Sequence, residues 1–369
     1  MRKLIIIVAV LLQVAVLGFM AGQREHILRT GRIVFLKTAP VDPRDIFRGD
    51  YVRLRYDISA VRGDLLRDGL ADLSEDDLRG SYYMSGRQDE WRKIRGKPVY
   101  GMLSVGANDI ADLVFLTDKK PSEGLFIRGR VEYPGFGNLN VRYGIEAYFV
   151  EQGKGKEIEK AMFQSMRIPL EMEVALGKDG TAVLKGYRWS PLGIAIEEDM
   201  TETSVAGDVN EASVKKSMGV GKKLKGIRVK LLNSSDKPIG IIDLPDGQSF
   251  TLEPQGMFAA LEEKEYKWVG AGKERKKVED SDVRILEPGK TYELYIDVNQ
   301  LQWFVARGDG QPKSIGETMA MGQFRLVYRP PSQDECKNLQ SADLIWHGSL
   351  ESPAFRGMEF NLLYDRLKR

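Results

Sequence analysis

Three aspartates crowd one short stretch of the chain, Asp42, Asp45 and Asp50. Arg44 and Arg48 lie among them, and Arg53 and Arg55 follow at once. Carboxylates this close suggest two chemistries. One is a hard-cation site, since oxygen ligands suit calcium or magnesium, but the spacing is not that of an EF-hand loop and the arginines would repel a cation. The other is an acid/base pair of the kind that hydrolyses glycosides, although such pairs are usually assembled from separate segments. The structural reading outweighs both. Asp-Pro-Arg-Asp suits a turn, because Asp caps backbone donors and Pro fixes φ. Gly49 permits a conformation that other residues resist. Asp50 then bonds to the turn or pairs with Arg48 or Arg53, and no metal or other cofactor is expected.

The remaining reactive side chains are few. Cys336 is the single cysteine, so no intramolecular disulfide forms. The two histidines, His26 and His347, are far apart, leaving a zinc site almost without ligands and a Ser-His-Asp triad only one histidine to use. His347 reads as a surface or hydrogen-bonded residue, and Cys336 has no convincing base nearby. A serine–lysine peptidase would need a serine just after the hydrophobic N-terminus, and none stands there. Trp268, Trp303 and Trp346 could form a carbohydrate platform, but tryptophan packed between sheets is the commoner use. Asn233-Ser234-Ser235 matches a glycan acceptor formally and is discounted.

The elements around the aspartates read as strands. Across Tyr51–Ile58 a period of two puts Val52, Leu54, Tyr56 and Ile58 on a core face, and Tyr51, Arg53, Arg55 and Asp57 on a wet one. The arginines of the wet face could receive an acidic partner or ligand. Further strands are expected at 33–37, 99–105, 112–117, 125–132, 142–150, 166–174 and 181–189. Gly177-Lys178-Asp179-Gly180 is read as the hairpin turn between the last two.

The run Asp42-Pro43-Arg44-Asp45-Ile46-Phe47-Arg48-Gly49-Asp50-Tyr51-Val52-Arg53-Leu54-Arg55-Tyr56 resembles the signature of the GDYXXLXY family, with Gly49, Asp50, Tyr51, Leu54 and Tyr56 on the pattern. Pro98-Val99-Tyr100, Ile127-Arg128-Gly129-Arg130-Val131, Tyr143 to Val150 and Gly153 to Glu159 resemble later blocks of that family. The resemblance covers about half the chain. It implies an N-terminal membrane segment and a partner, since members are often associated with multi-pass membrane proteins; it implies no biochemical activity. The chain departs from the family in a longer insertion at 62–96, read as helical around 64–78, and in its whole C-terminal half.

Leu4–Ala21 contains one polar residue, Gln13, and no charge, and Arg2 and Lys3 precede it. Eighteen residues at about 1.5 Å each reach about 27 Å, enough to cross a bilayer core. A cleaved signal peptide would have a shorter apolar stretch ending in small residues, whereas Phe19 and Met20 interrupt that pattern. An uncleaved anchor is therefore expected over 1–26, in the bilayer through 4–21, with the bulk of the chain outside the cytoplasm of a bacterial inner membrane. The net charge of +2 and the lack of a basic stripe exclude nucleic acid as an expected partner.

With 369 residues the chain is long enough for two folded domains. The expected fold is mainly β: an α+β domain over 27–190, a charged linker over 191–223, and an antiparallel β-sandwich over 224–369. The last is immunoglobulin-like by pattern only, with strands at 227–231, 239–243, 249–252, 257–262, 291–296, 323–328, 344–350 and 353–362. The function expected is non-catalytic, an envelope binding or scaffold role with a membrane or envelope protein as partner. A hydrolase using carboxylates such as Asp45 and Asp50 is the alternative.

Overall fold

The computed structural model describes residues 2–39, 51–73, 78, 94–106, 109–135, 138–151, 154, 158, 166–203, 221–255, 266–268, 275–307, 311–317 and 323–360. The chain divides into two compact units, one of residues 1–163 and 169–189, the other of 164–168 and 190–369. It is mostly β, with one N-terminal apolar helix and antiparallel sheets, as the patterning predicts.

Helix α1 (Arg2–Thr30) is apolar on every side from Leu4 to Ala21 but for Gln13, so no face marks a protein core. It ends where Gly31 donates its N–H to the carbonyl of Ile27 at 2.7 Å. Thr30 Oγ1 caps the carbonyl of His26 at 2.8 Å, and Arg29 pairs with Glu25. Strand β1 (Arg32–Ala39) starts one residue later.

In the first unit β1 is an inner strand of a four-stranded sheet. Its neighbours are β10 (Leu170–Leu176) and β3 (Arg55–Tyr56), and β11 (Ala182–Trp189) flanks β10. A five-stranded sheet runs in the order β4 (Ala60–Arg62), β8 (Asn138–Arg142), β7 (Phe126–Gly135), β5 (Pro98–Val105), β6 (Ala111–Thr117). A third, two-stranded sheet pairs β2 (Tyr51–Arg53) with β9 (Ala147–Phe149). All three contribute to one core that includes Val34, Leu36, Val52, Tyr56, Leu116, Ile127, Leu139 and Met172. The hairpin read at 177–180 is present: Gly177 and Thr181 close it, and Gly180 adopts φ +79°, a conformation open to a residue without a Cβ.

Three expectations for this unit are corrected. The strand read over 142–150 is interrupted at 143–146, where Gly144 turns at φ +83°. The strand read over 51–58 stops at Tyr56, and Ile58 lies in a 3-10 turn (Asp57–Ser59). The helix read around 64–78 is absent from 64–73, which forms two 3-10 turns instead. Asp68 there has φ +55° and is held by Thr117 Oγ1 at 2.6 Å and Lys119 Nζ at 2.7 Å, while Leu66 bridges Leu116 on β6. Tertiary bonds to β6 thus replace the local helical ladder.

The second unit is built on a long hairpin, β12 (Leu192–Thr203) against β13 (Gly221–Asn233). Strand β18 (Thr291–Asp297) and, at one end, β23 (Met358–Phe360) also pair with β13. The linker expected over 191–223 is therefore corrected: 192–203 and 221–223 are strand. Two of its acidic residues stand in cross-strand pairs, Glu197 opposite Arg228 and Glu202 opposite Lys222, and Glu197 also bonds Lys230. Cross-strand pairing of opposite charge stabilises a sheet and mimics, in sequence, the composition of a tether. Asp208, Glu211, Lys215 and Lys216 lie outside the described residues.

The other strands of this unit form small antiparallel sheets: β14 (Ile239–Ile242) with β17 (Val283–Leu286); β15 (Phe250–Gln255), β21 (Gln323–Tyr328) and β22 (Leu350–Glu351); β16 (Tyr266–Trp268), β19 (Phe304–Arg307) and β20 (Lys313–Ser314). One core draws on several of them through Ile194, Val229, Leu231, Ile241, Phe250, Leu326 and Leu350. The strand read at 344–350 is instead a 3-10 turn (Ala342–Leu344) and extended backbone that bridges only Gly240 before β22. Of the strand read at 353–362, only β23 is strand among the described residues, and the one read at 257–262 lies outside them.

Candidate functional site

The signature segment changes partner in mid-course. Its first half, β2, pairs with β9, setting Val52 opposite Tyr148 and Arg53 opposite Ala147. Its second half, β3, pairs with β1, setting Tyr56 opposite Thr38. Leu54, between the halves, donates its N–H to the carbonyl of Glu146 at 2.8 Å. The expected alternation holds across the switch. Val52, Leu54 and Tyr56 are 1–2% exposed, and Ile58 is buried beyond them, whereas Arg53, Arg55 and Asp57 face water. Tyr51 belongs to β2 by its backbone; Asp42, Arg44, Asp45, Arg48, Gly49 and Asp50 lie outside the described residues.

Two tyrosines lace this segment to the loop 143–146. Tyr56 donates its hydroxyl to the carbonyl of Ile145 at 2.7 Å, and Tyr143 donates its hydroxyl to the carbonyl of Ile58 at 2.9 Å. Each reaches from its own segment into the other. The Glu146 carboxylate accepts from the N–H of Tyr143 at 2.5 Å and of Gly144 at 3.0 Å, which holds the turn closed. Burial, and then the charge of Glu146, push both phenols well above the usual tyrosine range. They stay protonated donors at any ordinary pH and bond to carbonyls, so their chemistry here is structural.

The wet side carries Arg53 and Arg55. Arg55 reaches Asn140 Oδ1 at 3.4 Å, a long bond that leaves most of its donors directed to water. Phe149, 72% exposed, lies two residues beyond Ala147 on β9. Tyr148 turns the other way and meets Tyr187 edge-on at 5.8 Å, and Tyr187 meets Trp189 at 6.2 Å. On the four-stranded sheet Arg188 pairs with Glu171, itself 2% exposed, at 2.6 Å and lies 3.5 Å above the Phe35 ring. A carboxylate so deeply buried needs such a partner.

Other reactive groups are tied into the fold. His347 Nδ1 lies 3.0 Å from the carbonyl of Pro331, and His26 is exposed on α1. Cys336 is 1% exposed, and burial and then Glu335 push its thiol up, away from the thiolate that a nucleophile needs. Trp303 and Trp346 are buried in the core of the second unit, Trp346 stacked on Tyr328 at 6.3 Å, so neither offers a face to a sugar. The side chain of Trp268 lies outside the described residues. Asn233 is fully buried and gives both amide protons to the carbonyls of Lys237 and Leu286, which closes it to glycosylation. Among the described residues no group of three or more His, Cys, Asp or Glu is placed to hold a metal ion.

Glu146 and Asn140 stand outside the site residues expected from the sequence. The available signal was Gly144, an isolated glycine inside an apparent strand, which marks a turn or bulge rather than a continuous ladder.

No curated protein matches the chain, and no solved structure does. The family model described as "GDYXXLXY protein" matches residues 13–186. That stretch spans most of α1 and nearly all of the first unit, including the laced tyrosines, and stops before β12. Over its N-terminal half, the chain belongs to the GDYXXLXY family.

Proposed function

We propose that this chain is a single-pass membrane protein of the bacterial cell envelope, with its β-rich part on the extracytoplasmic side, acting by binding or scaffolding rather than by catalysis. One observation carries the reading. The apolar stretch of α1 is long enough to span, has a mean hydropathy of 2.6, and is covered nowhere by the rest of the described chain. Ile5, Leu11, Leu17 and Phe19 are each more than 60% exposed, a surface that water does not tolerate and lipid does. The signature supports the binding half of the proposal: its inward residues build the core, while Arg53 and Arg55 turn outward and suit an acidic group on a membrane or envelope protein.

Alkaline extraction of membranes and protease accessibility in spheroplasts test the anchor and its side. Recovery of the intact chain in the soluble fraction overturns it. In-membrane cross-linking with Asp50→Asn and Arg53→Ala tests the binding face. If both variants keep the captured partner with the fold intact, the wet-face reading fails.

A further inference from the structure

The joint between α1 and the β-domain is one residue long and closely packed. A Cβ on Gly31 would lie 2.6 Å from the carbonyl oxygen of Ile27 and 2.9 Å from that of Leu176. Register with β10 begins at the next residue, Arg32 opposite Leu176. Ile27 is half-buried, and its side chain reaches to 3.2 Å of where a Cβ on Gly177 would sit. The end of α1 is thus packed against the β10–β11 hairpin, and the hairpin tip stands where the helix places it.

That place follows from helix geometry. Ile27 is six residues past Ala21, the end of the apolar run, hence about 9 Å along the axis at about 1.5 Å per residue. The polar layer of each leaflet is about 5–7 Å deep, so the tip lies within a Debye length, about 8–10 Å, of the headgroup charges. Lys178 is exposed at the tip. Arg24, also exposed, precedes Ile27 by three residues and Leu28 by four, which sets it on the domain-facing side of the helix one turn nearer the bilayer. The acidic groups nearby are already engaged: Asp179 bonds Thr181 and faces Arg128 at 3.6 Å, and Glu25 pairs with Arg29.

From this geometry we infer that Arg24 and the hairpin tip at Lys178 form a docking surface for anionic phospholipid headgroups, which seats the domain on the membrane in one orientation. The inference rests on the proposed span. Opposite charge at this depth and a helix end packed on the hairpin bring the two cations and the lipid phosphates together.

The test uses the full-length protein in nanodiscs of phosphatidylcholine alone or mixed with phosphatidylglycerol, read by hydrogen exchange of the amides at 177–181. Exchange slows several-fold in the anionic discs, and the slowing is lost in R24E/K178E and in high salt. Inorganic phosphate added to the zwitterionic discs produces no slowing, which separates a lipid surface from a free anion. Equal exchange in both discs, slowing that survives the charge reversal, or a match by free phosphate overturns the inference. Alkaline extraction of the same preparation separates the two readings: release of the chain sinks the span itself, whereas retention with equal exchange sinks only the headgroup surface.

Discussion

Removing a single oxygen from Tyr56 tests whether the signature acts as a clasp. In Tyr56→Phe the ring still fills its place in the core, so no cavity opens, but the buried carbonyl of Ile145 loses the donor now 2.7 Å away. Stranding a buried acceptor costs about 1–3 kcal/mol. Truncation to Ala would add a cavity and raise the loss to about 3–5 kcal/mol. Tyr143→Phe removes the reciprocal bond to the carbonyl of Ile58. Because both bonds join the same two segments, the double variant should depart from additivity by about 0.5–3 kcal/mol. Two units make whole-chain denaturation unsuitable as a two-state measure, so the assay is native-state hydrogen exchange at the Leu54 amide, which bonds to the carbonyl of Glu146 in the laced loop. Faster exchange in Y56F, and more than additive behaviour with Y143F, is the expected result. Unchanged protection in Y56F, with loss only in Y56A, would show that the ring alone matters and refute the clasp.

Alkali should loosen the same region. Both phenols titrate above their unfolded value near 10, so their stabilisation is intact below pH 10 and falls as pH climbs beyond it, by about 1.4 kcal/mol per pH unit for each. Stability of the first unit measured against pH above 10 should decline less steeply in Y143F than in the native chain. Gly31→Ala should cost about 2–3 kcal/mol through the clash of its Cβ with two backbone oxygens, detectable as faster exchange along β1 and β10. Cys336 should resist a thiol reagent in the native protein and react on unfolding; rapid labelling of the native chain would contradict its burial. Arg53→Ala, on the wet face, should shift stability by no more than about 0.5 kcal/mol, so any larger loss of partner capture reports binding.

Much of this molecule is legible without coordinates. An uncharged apolar run dictates a helix long and apolar enough to cross a membrane, because hydropathy is a property of composition alone. The alternation from Val52 to Tyr56 dictates which side chains are buried, because a strand has a period of two whatever it pairs with. Tertiary structure decided what those strands pair with. The pairing of β2 with β9, the bond from the Leu54 amide to the carbonyl of Glu146, and the crossed tyrosines all join residues roughly ninety positions apart, and no local pattern encodes such a meeting. The same holds for the helix expected around 64–78, where, over 64–73, bonds from Asp68 to Thr117 and Lys119 outcompete the local ladder. It holds again for the supposed linker, whose composition is that of a solvated tether, while β13 sets Arg228 and Lys222 opposite Glu197 and Glu202 across the hairpin.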